Sequence, residues 1–175
     1  MKIVLLARYL PAEGSTVQMY SLAAGLIEQH HEVHVLSAGP GEDPAAKRLF
    51  AQSEAKGVQH HKVGFPLRPS FSPIGKLIQL FTYFTALPRA LWLLFRIRPG
   101  IVHVHYPVTS FIAKIFGLIT HTPFVVTHHI MGIPRHPLNW RGDAAIAISS
   151  DLERDLVERV GYSPVAVHRV FNGVD

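Results

Sequence analysis

The sequence predicts an α/β domain, a Rossmann-like three-layer α/β/α sandwich around a mainly parallel sheet of about seven strands. Three observations lead there. Short runs rich in Ile and Val alternate with longer segments of helical periodicity along all 175 residues, the pattern of a parallel sheet covered by helices on both faces. The opening run Ile3–Ala7 is apolar at every position, as in a strand buried on both sides. The length suits one domain, typically ~100–200 residues, and no repeat or low-complexity linker divides it.

The elements follow in order. After the strand Ile3–Ala7, residues 15–29 place Val17, Tyr20, Ala24 and Ile27 at helical spacing. Glu32–Ser37 reads as the second strand. A Gly/Pro loop (Ala38–Gly41) leads to a short helix from Asp43 to Lys56, then a strand over Val58–Val63. Prolines make Phe65–Ser70 a loop. A long helix from Pro73 to Arg98 follows, with Pro88 as a potential break. Ile101–His105, Phe124–Thr127, Ala144–Ser149 and Val165–Val170 read as four further strands. Helices over Thr109–Leu118 and Ser150–Val160 separate them, the last capped by Ser150 or Asp151.

Composition narrows the function classes. Hydrophobic residues form 48% and charged residues 17% of the chain, which marks a globular protein and not a disordered one. With no cysteine, disulfides, thiolate metal sites and a Cys nucleophile are excluded. Met1–Arg8 runs straight into a strand, so no secretory leader is expected. Gln79, Pro88 and Arg89 interrupt the apolar stretch Leu77–Phe95, which should therefore fall short of the ~20 apolar residues of a membrane span. A cytoplasmic protein is expected. Net charge is +5, but Lys and Arg are scattered apart from a group between Arg89 and Arg98. That is not the clustered footprint of a nucleic-acid binder.

Ligands of open parallel sheets bind beyond the carboxyl ends of the strands, where strand order reverses. The rule selects Arg8–Thr16, His103–Pro107 and Thr127–Gly132. The first loop carries one glycine, Gly14, and so lacks both the Gly-x-Gly-x-x-Gly fingerprint and a P-loop. Two readings stand for it: Ser15 or Thr16 as a helix cap, or the free helix amides as a phosphate site. His103 and His105 share a strand face, whereas adjacent His128 and His129 must point apart. A zinc site wants three such ligands, often with a carboxylate, and Asp143 is the nearest acid after the fifth strand. No metal is expected; histidines bonded at strand ends, or facing a polar organic ligand, fit better. No Gly-x-Ser-x-Gly elbow exists. The stretch Ile74–Arg98 mixes aromatic and basic residues with apolar positions around much of its circumference. It reads as a helix packed on the sheet, or as a basic amphipathic surface against anionic lipid.

Taken together these segments resemble the N-terminal domain of the retaining glycosyltransferases of family 4, which have the GT-B architecture. That domain opens with a strand, a Pro-containing loop ending in Gly-Gly and a helix leading to Gly-His-Glu-Val. Here stand Tyr9-Leu10-Pro11-Ala12-Glu13-Gly14-Ser15 and His30-His31-Glu32-Val33. The family's Pro-Asp-Ile-Val-His-x-His is matched by Pro99-Gly100-Ile101-Val102-His103-Val104-His105, and its Pro-x-Val-x-Thr-x-His by Pro123-Phe124-Val125-Val126-Thr127-His128-His129. Ala147-Ile148-Ser149 and Asn172-Gly173-Val174-Asp175 correspond to the usual ending.

The resemblance implies transfer of a sugar from a nucleotide diphosphate sugar to an acceptor hydroxyl, without a cofactor or metal and with retained configuration. It places Gly14, Ser15 and Thr16 at the donor diphosphate and His129 at the donor sugar as the catalytic contact. Arg8, Tyr9, His105, Tyr106 and Thr127 fall where a sugar or lipid acceptor enters. A second, C-terminal domain is expected to bind most of the nucleotide sugar, so the 175 residues alone should be inactive. Peripheral contact with an anionic membrane is also expected. The alternative is a stand-alone module that binds an acceptor or a protein without catalysis. Three departures stand out: Ser15 replaces the second loop glycine, His30 a glycine expected where φ is positive, and Gly100 an Asp.

Overall fold

The strands are β1 (Lys2–Leu6), β2 (Glu32–Ser37), β3 (Gln59–Lys62), β4 (Ile101–Val104), β5 (Phe124–His128), β6 (Ala144–Ala147) and β7 (Val167–Arg169). The helices are α1 (Gly14–Glu28), α2 (Pro44–Ala55), α3 (Pro73–Ile97), α4 (Ser110–Thr120) and α5 (Ser150–Asp155), the last continued by a π-helical turn over Leu156–Val160. They come from a computed structural model that describes residues 1–66, 72–133 and 138–171. Two of the segments read from sequence, the end of the loop at Leu67–Ser70 and the terminal Asn172–Asp175, lie outside the described residues.

All pairings are parallel, in the order β3-β2-β1-β4-β5-β6-β7. The chain builds outward from β1 to β3, returns through α3, and builds the other way from β4. Strand order therefore reverses between β1 and β4, where a parallel sheet opens its binding crevice. Alternation divides the core. Ile3, Leu5 and Ala7 pack with Met19, Tyr20 and Ala23 of α1. Val4 and Leu6 face the other way, toward Tyr83, Ala90 and Leu94 of α3 and Phe111, Ile112 and Phe116 of α4. Ala145 and Ala147 pack on Leu152 and Leu156 beside Tyr162.

Several local expectations need correction. The buried stripe of α1 runs through Thr16, Met19, Tyr20 and Ala23, not Val17; Val17 faces solvent. Neither Ser15 nor Thr16 caps α1: its N-cap is Glu13, with no side-chain hydrogen bond. Ser149 caps α5, not Ser150 or Asp151, its hydroxyl accepting from the Leu152 amide at 3.2 Å. Pro88 does not break α3. It sits on the exposed side, so the carbonyl it leaves unpaired is open to water. By length and composition α3 is also apolar enough to cross a membrane, with mean hydropathy 1.3 over its best window. Gln79, Pro88 and Arg89 do not disqualify it. Its inner side nevertheless forms part of the core.

His30 takes φ 62° at the end of α1, the left-handed position foreseen for a glycine. At Gly100 the account changes. A Cβ there would stand 2.9 Å from the Met1 side chain, so the glycine permits a close approach between the turn before β4 and the N-terminus.

Candidate active site at the sheet reversal

Three strand ends converge at the reversal point. β1 delivers Arg8 and Tyr9, β4 delivers His105 and Tyr106, and β5 delivers Thr127, His128 and His129. The His105 amide donates to the Leu6 carbonyl at 2.9 Å, extending the β1–β4 ladder by one rung and locking the two loops together. The Arg8 guanidinium carbon lies 4.6 Å from the Tyr9 ring centroid and 5.9 Å from that of Tyr106. The two tyrosine rings are themselves 5.9 Å apart. The cation lies beside both aromatic rings, within the ~6 Å range of a cation–π contact.

Beside it runs a row of imidazoles. His103 and His105 stack at 4.4 Å between centroids, and His105 and His129 at 5.9 Å. The His103 Nε2 lies 2.6 Å from the Thr127 hydroxyl. His105 is almost wholly buried and neither of its ring nitrogens has a protein partner; the His129 Nε2 is likewise unpaired. Burial disfavours the charged ring. It pushes His103 down to about 4, aided by the charge on nearby His129, takes His105 well below the usual histidine range, and lowers His129 as well. At neutral pH the row is uncharged. A neutral imidazole offers one donor and one acceptor, which suits sugar hydroxyls better than it suits a phosphate.

The third part is the start of α1. The N-cap residue is Glu13, whose side chain makes no cap hydrogen bond, and the first turn holds no acid. The helix end therefore presents its partial positive charge beside the Glu13 carboxylate, which also acts on Tyr106. A Cβ at Gly14 would meet nothing within 4 Å, so the space above the turn is open. Ser15 lies near the Tyr106 side chain, so the helix start and the β4 loop meet here.

The geometry thus brings Arg8, Tyr9, Gly14, Ser15, His105, Tyr106 and His129 around one crevice. Two of the sequence-selected residues are turned inward. Thr16 is 3% exposed and its amide is taken by the Glu13 carbonyl at 3.0 Å, so neither its hydroxyl nor its amide reaches a diphosphate. Thr127 has no exposed surface; it holds His103 and would touch an acceptor only through it. His103 lies in a segment that the strand-end rule selects, but the family resemblance gives it no role; its two-residue spacing to His105 was the signal of its place in the row. Among the described residues no group of His, Asp and Glu is arranged to hold a metal ion. His128 points to the opposite sheet face, as adjacent strand residues must, and lies edge-on to Tyr162. There it lines a pocket of 650 Å³ with Trp140, Arg141 and Arg159.

The sequence profile of Glycosyltransferase Family 4 matches residues 12–175. The chain belongs to glycosyltransferase family 4. No curated protein sequence matches it, but the fold of this family 4 domain recurs in solved structures. A glycosyltransferase from Rickettsia africae ESF-5 superposes with TM-score 0.69 at 17% identity, covering 99% of this chain and 44% of that one. The lipopolysaccharide outer core galactosyltransferase WaaB, in its apo form, gives 0.71 at 16%, covering 99% and 46%. Anabaena HepE, solved in complex with UDP and glucose, gives 0.67 at 17%, covering 100% and 45%. At these identities the likeness concerns the fold: a Rossmann-like domain of GT-B glycosyltransferases. The chain spans somewhat less than half the length of each.

Proposed function

We propose that this family 4 domain forms the acceptor-side wall of a cleft in which a hexose-type sugar passes from a nucleotide diphosphate sugar to an acceptor hydroxyl with retained configuration. The observation that carries the reading is the meeting of an uncapped helix start, a neutral imidazole row and an Arg–Tyr cluster at one reversal point. The bond from the anomeric carbon to the diphosphate oxygen breaks. The acceptor oxygen bonds to the same face of that carbon, and its proton leaves with the departing diphosphate. The amides at Gly14 and Ser15 stabilise the charge developing on that diphosphate. His129 hydrogen-bonds the donor sugar without adding charge. Arg8, Tyr9 and Tyr106 hold the acceptor, with His105 behind them.

A second lobe holds the rest of the donor, and its closure excludes water. The helix start alone contributes only ~0.3–1 kcal/mol, whereas micromolar binding needs about −8 kcal/mol. The 175 residues by themselves therefore do not transfer sugar. The protein acts in the cytoplasm and touches an anionic membrane peripherally through α3.

The test is release of nucleoside diphosphate from a panel of nucleotide sugars, with the second lobe joined to this domain. His129→Ala should lower kcat and kcat/KM together by about 10²-fold, the cost of losing one positioned transition-state hydrogen bond, with an unchanged circular dichroism spectrum. Wild-type kinetics would remove His129 from the site. Acceptor-dependent turnover by the 175-residue chain alone would remove the need for a second lobe.

A further inference from the structure

Helix α3 is longer than the sheet it covers. It links β3 to β4 in a parallel sheet, so it runs against the strands and begins at their carboxyl ends, the end that carries the crevice. Its inward-facing buried residues are Tyr83, Ala86, Ala90, Leu93, Leu94 and Ile97. The helix starts at Pro73, so its first ten residues precede the first buried one. At 1.5 Å per residue they extend about 15 Å. Leu80 packs against the core, but the outward side of this overhang is apolar and uncovered: Ile74, Leu77, Ile78 and Phe81 are 74%, 68%, 60% and 68% exposed.

The overhang ends beside the crevice. Tyr83, where burial begins, packs on Phe65 and Phe111, and the Arg8 guanidinium sits against its side chain. Arg8 in turn lies over Tyr9 and Tyr106. A molecule lying along the overhang thus reaches the acceptor cluster across one side chain. Charge points to what that molecule belongs to. From Pro73 to Arg98 there is no Asp or Glu, but there are Lys76, Arg89, Arg96 and Arg98. Arg89 and Arg96 flank the half-exposed Trp92, with guanidinium carbons 5.9 and 5.2 Å from its ring. Further along the same layer Leu118 and Ile119 of α4 are also exposed. Apolar side chains with a cation-only fringe and an aromatic among the cations suit the boundary of an anionic bilayer. Because the inner side of α3 fills the domain core, the helix lies on the surface and does not cross.

We propose that the acceptor is a membrane amphiphile, a hydroxyl-bearing headgroup on a hydrocarbon tail, and that the α3 overhang guides it from an anionic bilayer to the Arg8–Tyr9–Tyr106 cluster. This rests on reading the crevice as the site of sugar transfer, but the test uses no sugar. The wild-type chain is bound to nanodiscs of phosphatidylglycerol and phosphatidylcholine carrying a spin-labelled lipid, and its side-chain NMR signals are followed. Ile74, Leu77 and Ile78 methyls and the Tyr106 ring should broaden, while Leu49 on α2, across the sheet, should not. Leu77→Ser with Phe81→Ser changes only exposed residues and should weaken nanodisc partitioning by at least about tenfold, since both lose apolar surface that the bilayer would cover. His129→Ala should leave partitioning unchanged, so loss of transfer and loss of membrane contact are read separately. Broadening of α3 without Tyr106 would turn the crevice away from the bilayer and overturn the proposal. So would equal binding to neutral nanodiscs, no binding at all, or self-association that releases the lipid.

Discussion

Lowering the pH from 7.5 to 5 should remove a large part of this domain's stability, and the buried histidines set the amount. His103 and His128 both titrate near 4 in the folded chain, chiefly because burial penalises the charged ring. In the unfolded chain they titrate near 6.5. Above about pH 7 the ring is neutral in both states and contributes no difference. As pH falls through 6.5 the unfolded chain takes up protons that the folded chain refuses, so stability falls until the folded value near 4 is reached. At 1.36 kcal/mol per pH unit, each ring removes about 2 kcal/mol by pH 5 and about 3 at lower pH. Two rings give about 4 kcal/mol at pH 5, against a typical total of ~5–15. His105 and His60 shift in the same direction, the latter weakened by solvent.

Urea unfolding at pH 7.5 and pH 5.0, at constant ionic strength, measures the difference. Carboxylates stay largely ionised at pH 5, so the interval isolates the histidines. With a slope of ~2 kcal/mol per molar urea, His103 and His128 alone should lower the midpoint by about 2 M, and His105 and His60 add to the drop. His103→Gln should shrink that drop by about 1 M, one ring's share at that slope, whatever it does to stability at neutral pH. Equal midpoints at the two pH values would refute the reasoning. They would mean that the imidazole row is hydrated in the folded protein, and not a dry stack.

Two backbone substitutions test the turns. His30→Gly should raise stability by about 1 kcal/mol in the same urea assay, because a left-handed conformation costs an L-residue ~1–2 kcal/mol and glycine little. Gly142→Ala should lower it by about 1–3 kcal/mol, since the new Cβ would stand 2.8 Å from the Phe124 and Ala144 carbonyls.

Most of the architecture was legible because it rests on short-range pattern. Apolar runs of strand length between helical stretches set both the element order and the parallel sheet, and one proline was misleading only because Pro88 faces solvent. The errors lie where two neighbouring readings have nearly equal local energy. Ser149, Ser150 and Asp151 are all good caps, and only the position of β6 selects the first. In α1 it is Met19 that packs with Ile3 and Leu5, while Val17 faces solvent.

The site was legible one strand at a time but not as an assembly. Alternation alone places His103 with His105 and separates His128 from His129. The bond between His103 and Thr127 is different in kind. It requires the β4–β5 register, in which His103 lies opposite Val125, so that Thr127 is its diagonal neighbour two residues on. No local pattern encodes that offset. The same holds at the sheet edge, where the His34 Nδ1 meets the His61 Nε2 at 3.0 Å while its Nε2 donates to Glu32 at 3.0 Å, because Leu36 pairs with His61. Such a diagonal pair changes what the crevice presents. Thr127, which the chain pattern offers as an acceptor contact, becomes the residue that orients His103, and His103 supports the stack whose outer ring is His129. On the proposed reading the acceptor then meets a surface built by Arg8, Tyr9 and Tyr106, with the histidines as a neutral floor. A floor without charge leaves the acceptor to be selected by shape and by what lies beside it. Beside it, among the described residues, runs the apolar start of α3.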